Sequence, residues 1–369
     1  MPHRPIVYWV SLALSASALG QPGLYYIPGT SDSNLDFLRI SSDGTTVYGG
    51  QGGTWSWTPG EGRMEMPATV FTPKAVSDNG QIMAGDYWYD HVPGQDIVWP
   101  MVRTPDGQQN YLGPFVTLEQ RVSIISAQGN VICGVTRQGS YHDRYYTWRW
   151  TADTGLINMD AFGLSIATDC SDDGSTIIGT SDIIVAAQVW RNGVTTFLPG
   201  LDPDNPNVAS ATACNSDGTL ICGNAFLGPT HAPAAAIWEN DVPRILPTPA
   251  GFRPYVRDIS NDGSVAIGNL WSSQLQYDFV WTDELGALSA LDYFAMFGIQ
   301  LSSTERYTLE KVSEDGTVFA GTRTFPNGSN QNFVVITPAP APLAILGALA
   351  AVSARPKRRG ITAHSSTRC

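Results

Sequence analysis

A short motif recurs seven times along these 369 residues, and no other feature restricts the fold as much. Its fullest form is Asp258-Ile259-Ser260-Asn261-Asp262-Gly263-Ser264-Val265-Ala266-Ile267-Gly268. The turn glycines are Gly44, Gly80, Gly129, Gly174, Gly218, Gly263 and Gly316. Five residues after each stands a second: Gly49, Gly85, Gly134, Gly179, Gly223, Gly268 and Gly321. Three residues before the turn glycine comes Ser41, Ser77, Ser126, Ser171, Asn215, Ser260 or Ser313, short polar side chains that bond nearby backbone and favour turns. The residue before that is apolar, as in Ile40, Val76, Ile125, Ile259 and Val312, and suits a half-buried strand. Each unit therefore reads as a tight hairpin with glycine at a φ > 0 turn position. The closing glycine marks a bulge or a close approach of backbone.

After the closing glycine a loop of variable length leads to an apolar strand carrying tryptophan: Trp57, Trp99, Trp148 with Trp150, Trp190, Trp238 and Trp281, with Phe333-Val334 in the seventh unit. A polar turn such as Arg191-Asn192-Gly193 and a short strand such as Thr196-Phe197-Leu198 follow. Four strands in a period of 36 to 53 residues match one propeller blade. The seventh unit ends after its third strand at Ile336, while Tyr26-Ile27-Pro28-Gly29 resembles the fourth-strand exit Phe197-Leu198-Pro199-Gly200. The expected fold is all-β: a seven-bladed β-propeller over residues 21–337, closed by an N-terminal strand that completes the last blade and removes a free edge. One helix is expected, capped by Ser289, running from Ala290 to Phe297 and ended by Gly298.

Composition agrees, with 37 Gly, 25 Pro and only 15% charged residues. Arg4 and the basic residues from Arg355 onward lie in terminal segments without acids, which leaves 33 acidic against 15 basic residues between them. Such a surface repels phosphate backbones and excludes nucleic acid as a partner. Cys170 and Cys214 share one repeat position, and Cys133 and Cys222 another, where other units carry apolar residues. They read as small core hydrophobes, with a Cys170 to Cys214 bridge as the alternative.

Residues 1–20 combine Arg4, an apolar run from Ile6 to Leu14 and Ala16-Ser17-Ala18, the pattern of a secretory signal peptide. From Pro338 to Cys369 come a Pro-Ala-rich linker, an apolar stretch from Leu343 to Ala354 and the basic Arg355-Pro356-Lys357-Arg358-Arg359. That apolar stretch is short of the about 20 residues of a membrane span. The tail therefore reads as a sorting signal that meets the membrane only transiently.

The hairpin Ile-Ser-x-Asp-Gly, the glycine five residues on and the apolar-Trp strand resemble the bacterial extracellular repeats named for their His-Ala-Phe motif, with His231-Ala232-Pro233 and Asp278-Phe279-Val280 as partial matches. The segment from Pro338 to Arg359 resembles the tripartite PEP-CTERM signals, although Thr337-Pro338-Ala339-Pro340 stands where that family has Pro-Glu-Pro. Both resemblances imply export, partnership with export and sorting machinery, and a secreted or cell-surface protein. Neither implies a reaction.

No nucleophile elbow, zinc-protease helix, Cys-x-x-Cys, P-loop or dinucleotide fingerprint occurs, and no cofactor is expected. The variable loops after the closing glycines carry Trp88, His91, Tyr141, His142, Asp143 and Trp271, aromatic and charged groups of the kind a sugar-binding surface uses. Asp202, Asp204, Asn205 and Asn207 gather oxygen ligands in one inter-blade loop, a candidate Ca²⁺ site without the EF-hand spacing. The expected function is a non-catalytic surface or matrix propeller that binds a glycan or a surface protein. A secreted polysaccharide-active enzyme, lyase or glycoside hydrolase, is the alternative. Buried, mutually close carboxylates at one channel mouth would mark the enzyme.

Overall fold

The computed structural model describes residues 20–29, 37–50, 53–89, 97–113, 119–138, 144–159, 163–181, 186–202, 204, 209–228 and 232–338. The expected signal peptide and most of the tail lie outside the described residues. Seven four-stranded antiparallel blades follow one another round a ring, blades two and three being joined by a parallel bridge between Glu119 and Val98. The first strands of the blades are Phe37–Ile40, Thr72–Val76, Glu119–Ile125, Ile166–Cys170, Ala209–Cys214, Arg253–Ile259 and Arg306–Val312. Their side chains line the axial channel, so each blade runs from the inside outward. The last blade takes its outer strand from the N-terminus: Gly23–Tyr26 pairs with Asn330–Ile336, Tyr26 opposite Phe333.

The hairpin at the head of each blade is held as its sequence requires. In blade six Ser260 Oγ donates to Asp262 Oδ1 at 2.9 Å and accepts from Val265 N at 3.0 Å, while Gly263 sits at φ +73°. Neighbouring turns are then stitched together around one face: Asp78 N donates to Ala127 O, Asp172 N to Ser216 O and Asn261 N to Glu314 O, each at 2.8 Å. In blades two to seven the closing glycines lie against a β-bulge. A Cβ on Gly223 would meet Ser210 O at 2.0 Å, and one on Gly134 would meet both Arg121 O, at 2.0 Å, and the buried Trp148 ring, at 2.2 Å.

The bulge turns one inner-strand N–H out of its own sheet, and a buried donor without an acceptor is costly. The preceding blade answers with a side chain. Asp86 accepts from Val122 N at 2.9 Å, Thr147 from Ala167 N at 2.9 Å, Asn224 from Val256 N at 3.3 Å and Asp278 from Leu309 N at 2.7 Å. Blade two has Pro73 at this position and no N–H to satisfy.

The apolar core lies between blades. Val265, Ile267 and Val280 of blade six pack on Leu309, Val312 and Phe319 of blade seven, each buried side chain stabilising by about 1.5–3 kcal/mol. The helix, Ala290–Ala295, is shorter than expected but is capped by Ser289, whose Oγ accepts from Asp292 N at 3.1 Å. It covers this core through Phe294, whose ring centroid is 5.0 Å from that of Phe319.

Two readings of the sequence are corrected. Trp57, Trp150, Trp190, Trp238 and Trp281 share one register, but Arg103 holds that place in blade two, and Trp99 lies four residues earlier, opposite Tyr87. The second loop is variable in length, so counting from the glycine does not fix the register of the third strand. Cys170 and Cys214 are free thiols, not a bridge. Both are pushed well above the usual thiol pKa by burial, as small apolar wall residues would be.

Candidate functional site

The axial channel holds a cavity of about 350 Å³ that opens among the Asp-Gly turns. Its charged lining comes from three repeat positions. The residue before the apolar one supplies Arg39, Asp169, Asp258 and Lys311, the bulge residue supplies Lys74, and the variable residue of Ser-x-Asp-Gly supplies Asp172 and Glu314. Ring closure alone brings blades one, two, four, six and seven together here.

The deeper charges are engaged in holding blade to blade. Asp258, 6% exposed, accepts from Val312 N at 2.9 Å and lies 3.6 Å from Lys311 Nζ. Burial pushes the Asp258 carboxyl up, while the Lys311 ammonium draws it back, and the Asp258 charge in turn raises Lys311. Asp169 Oδ2 accepts from Cys214 N at 3.0 Å. Outward of the channel, Arg257 donates to Asp278 Oδ2 at 2.5 Å, and burial still pushes Asp278 up to about 6.

The groups nearer the mouth are less committed. Asp172 is half-buried, and desolvation raises its carboxyl; Arg39 opposes the rise, and the charges of Asp78 and Asp169 add to it. Glu314 is raised by desolvation and then by the charge of Asp172. Arg39 reaches across the channel, donating from Nη1 to Ile125 O at 3.2 Å, while its Nε is buried with no hydrogen-bond partner. A donor without an acceptor and coupled carboxyls with raised affinity for protons thus face one cavity. That arrangement can hold an anionic or hydroxyl group and exchange protons with it.

Of the residues singled out in the sequence, Trp88 and Trp271 lie on the opposite face. Trp88 is 43% exposed, with the Arg121 guanidinium 5.1 Å from its ring centroid and Arg121 paired with Glu119 at 2.5 Å. Trp271 is 53% exposed and borders a cleft between blades five and six. His91, Tyr141, His142 and Asp143 lie outside the described residues, as do Asn205 and Asn207 of the candidate Ca²⁺ loop. Asp202, 4% exposed, accepts from Asp204 N at 3.0 Å. Among the described residues no group of three or more His, Cys, Asp or Glu is placed to hold a metal. Asp172 and Glu314 were missed because each occupies the one variable position of a turn motif. The available signal was an acid at that position in several units at once.

Among the described residues no helix is long and apolar enough to cross a membrane. No protein-family model matches the sequence, and no curated protein matches it. Among solved structures, the chain is similar to the β-propeller domain of the Trilobed protease from Pyrococcus furiosus, with a TM-score of 0.55 and 9% identity over 83% of this chain and 93% of that one. It is also similar to an oligogalacturonate lyase from Vibrio parahaemolyticus, with a TM-score of 0.57 and 9% identity over 84% and 91%. TolB from Acinetobacter baumannii matches more loosely, with a TM-score of 0.38 and 11% identity over 81% and 79%. These neighbours correct the expectation of a propeller without chemistry, because one is the propeller domain of a protease and the other is itself a lyase, matched over 91% of its length. At such identities the likeness shows the fold alone: the chain is a multi-bladed β-propeller, whose ring the N-terminal strand closes.

Proposed function

We propose that this chain is an exported propeller enzyme that cleaves a polysaccharide by acid–base chemistry at the carboxyl-lined mouth of its axial channel. The observation that carries the reading is that Glu314 and Asp172 line one cavity as two raised carboxyls, with the negative charge of Asp172 opposing release of the proton on Glu314. Glu314 has the higher ordinary value, 4.5 against 3.8, and the Asp172 charge adds to its rise, which favours it as the member that keeps its proton. Glu314 is assigned as the acid that protonates the leaving glycosidic oxygen, and Asp172 as the base that takes a proton from water or from the sugar ring. The unpartnered Nε of Arg39 would hold a carboxylate or a developing oxyanion of the substrate. The lyase among the structural neighbours, named for an acidic oligosaccharide, supports this substrate class. The signal peptide pattern and the sorting-type tail support export to a surface or matrix where such polymers lie.

The test is to incubate the secreted protein with a panel of neutral and acidic polysaccharides, following new reducing ends together with the ultraviolet absorbance of unsaturated products. Reducing ends alone identify a hydrolase, and both signals together a lyase. No cleavage of any polymer, or cleavage unchanged in Glu314→Gln and Asp172→Asn, overturns the proposal.

A further inference from the structure

Across the ring from the channel mouth, a cleft of about 500 Å³ opens between blades five and six, within the range of about 300–1,000 Å³ typical of ligand pockets. Its walls come from one repeat rule. Phe226 and Trp271 each stand three residues after a closing glycine, Gly223 and Gly268, at the end of a second strand. Tyr255, in the inner strand of blade six, completes an aromatic wall. Trp271 is 53% and Tyr255 50% exposed, a large apolar surface to leave in water.

The polar groups of the cleft divide into two kinds. Asn224 is fully used, donating to Pro254 O at 2.6 Å and accepting from Val256 N at 3.3 Å. Asn269 is 9% exposed and lines the cleft, yet among the described residues its amide makes no hydrogen bond. That side-chain amide is not sealed from solvent and opens onto the cleft, where a ligand can reach it. Arg253 likewise forms no ion pair among the described residues, and its guanidinium lies 5.8 Å from the Trp271 ring centroid. Among the described residues no carboxylate lines this cleft, in a protein with 33 acidic residues. The Trp88 site, at the same repeat position of blade two, differs in that Glu119 neutralises its arginine.

We infer that the cleft bounded by Phe226, Tyr255, Trp271, Arg253 and Asn269 is a binding subsite for a carboxylate-bearing saccharide. The aromatic faces stack on the sugar ring, Arg253 takes the carboxylate, and Asn269 bonds a ring hydroxyl. The subsite lies on the face opposite the channel mouth and carries no acid–base pair, so it holds polymer without cutting it. The inference rests on the polysaccharide reading for its substrate class but not on the channel chemistry.

The experiment is calorimetric titration of the full secreted chain with an oligomer of uronic acid residues and with its carboxyl-reduced counterpart. Trp271→Ala and Tyr255→Ala are expected to weaken binding of the acidic oligomer by about tenfold or more, where tenfold corresponds to about 1.4 kcal/mol. Arg253→Gln is expected to abolish the preference for the acidic over the reduced oligomer. Because all three side chains are exposed, unchanged melting curves will certify the fold. Whether the parent cleaves the oligomer is read separately from reducing ends and ultraviolet absorbance, which separates failure of the cleavage proposal from failure of this one. The inference is overturned if neither oligomer binds, if Trp271→Ala and Tyr255→Ala bind as the parent does, or if the reduced oligomer binds as well as the acidic one.

Discussion

The Arg323 guanidinium lies 3.5 Å from the centroid of the Tyr26 ring, and this contact fastens the N-terminal strand to the last blade. The same arginine is 3.2 Å from Glu305, which accepts from Tyr307 Oη at 2.8 Å, and the Tyr307 and Tyr26 hydroxyls are 3.3 Å apart. One residue of the strand is thus tied to two side chains of the blade it completes, and Glu305 braces both of them. Deleting Leu24 to Pro28 is expected to expose the Asn330–Ile336 edge and drive aggregation. The milder Tyr26→Ala should lower the melting temperature and speed proteolysis of the N-terminal segment. A truncated chain that melts with the parent would show that the ring does not depend on this strand.

Glycine substitutions should separate two kinds of position. Gly223→Ala places a Cβ 2.0 Å from the backbone oxygen of Ser210, which cannot swing aside without opening the hairpin. A loss of more than about 3 kcal/mol is expected, at the upper end for a point substitution. Gly155→Ala has φ +63° but open space around it, so only the left-handed backbone penalty of about 1–2 kcal/mol remains. Urea midpoints of the two variants give the comparison.

The repeat was legible because its parts are local. Ser260, Asp262 and Gly263 lie within four residues and make their turn wherever the chain goes afterwards. Closure was legible too, since Ile336 ends a unit that lacks a fourth strand and Tyr26-Ile27-Pro28-Gly29 reads as the exit of one, which the structure shows as Gly23–Tyr26. What local pattern does not carry is which blades face each other across the axis. Asp172 and Glu314 meet only because seven blades close a ring, and the register of Trp99 depends on a loop whose length no motif sets. Trp271 stood out as a lone aromatic, but its partners Arg253 and Asn269 gain meaning only from the cleft they share with it.

Asp278 gives stability a pH dependence of defined sign. Burial raises its folded pKa to about 6 from the ordinary 3.8, so the folded state holds this proton more tightly than the unfolded chain. The stability it contributes is present at low pH and is lost as pH rises through about 6. The turn aspartates Asp173 and Asp217, lowered by hydrogen bonds from Ser175 and Thr219, act in the opposite sense as pH falls. The difference between parent and Asp278→Asn therefore isolates the effect. The variant should gain stability relative to the parent between about pH 4 and 6, and a constant difference across that window would refute the assignment.

Export has its own check. Mass spectrometry of the protein recovered from its native cell should give an N-terminus near Gln21 and processing of the segment after Pro338. An intact Met1 in the cytoplasmic fraction would remove the basis for a surface or matrix substrate.

Catalysis by the channel carboxyls predicts a particular pH profile. Glu314 must be protonated to serve as the acid, and desolvation together with the Asp172 charge keeps it so above the ordinary glutamate value of 4.5. Cleavage should therefore decline as pH rises through that raised value, and Asp172→Asn, by removing the neighbouring charge, should move the alkaline limb to lower pH as well as slow the reaction. Glu314→Gln removes the proton donor and should cost about 10²–10⁴ in rate, the usual worth of general acid catalysis. Asp258→Asn is the contrasting change: it disturbs the pair with Lys311 deeper in the channel, so its effect should fall on thermal stability with the shape of the pH profile kept. An alkaline limb that moves in Asp258→Asn and stays fixed in Asp172→Asn would reassign the acid chemistry to the buried pair.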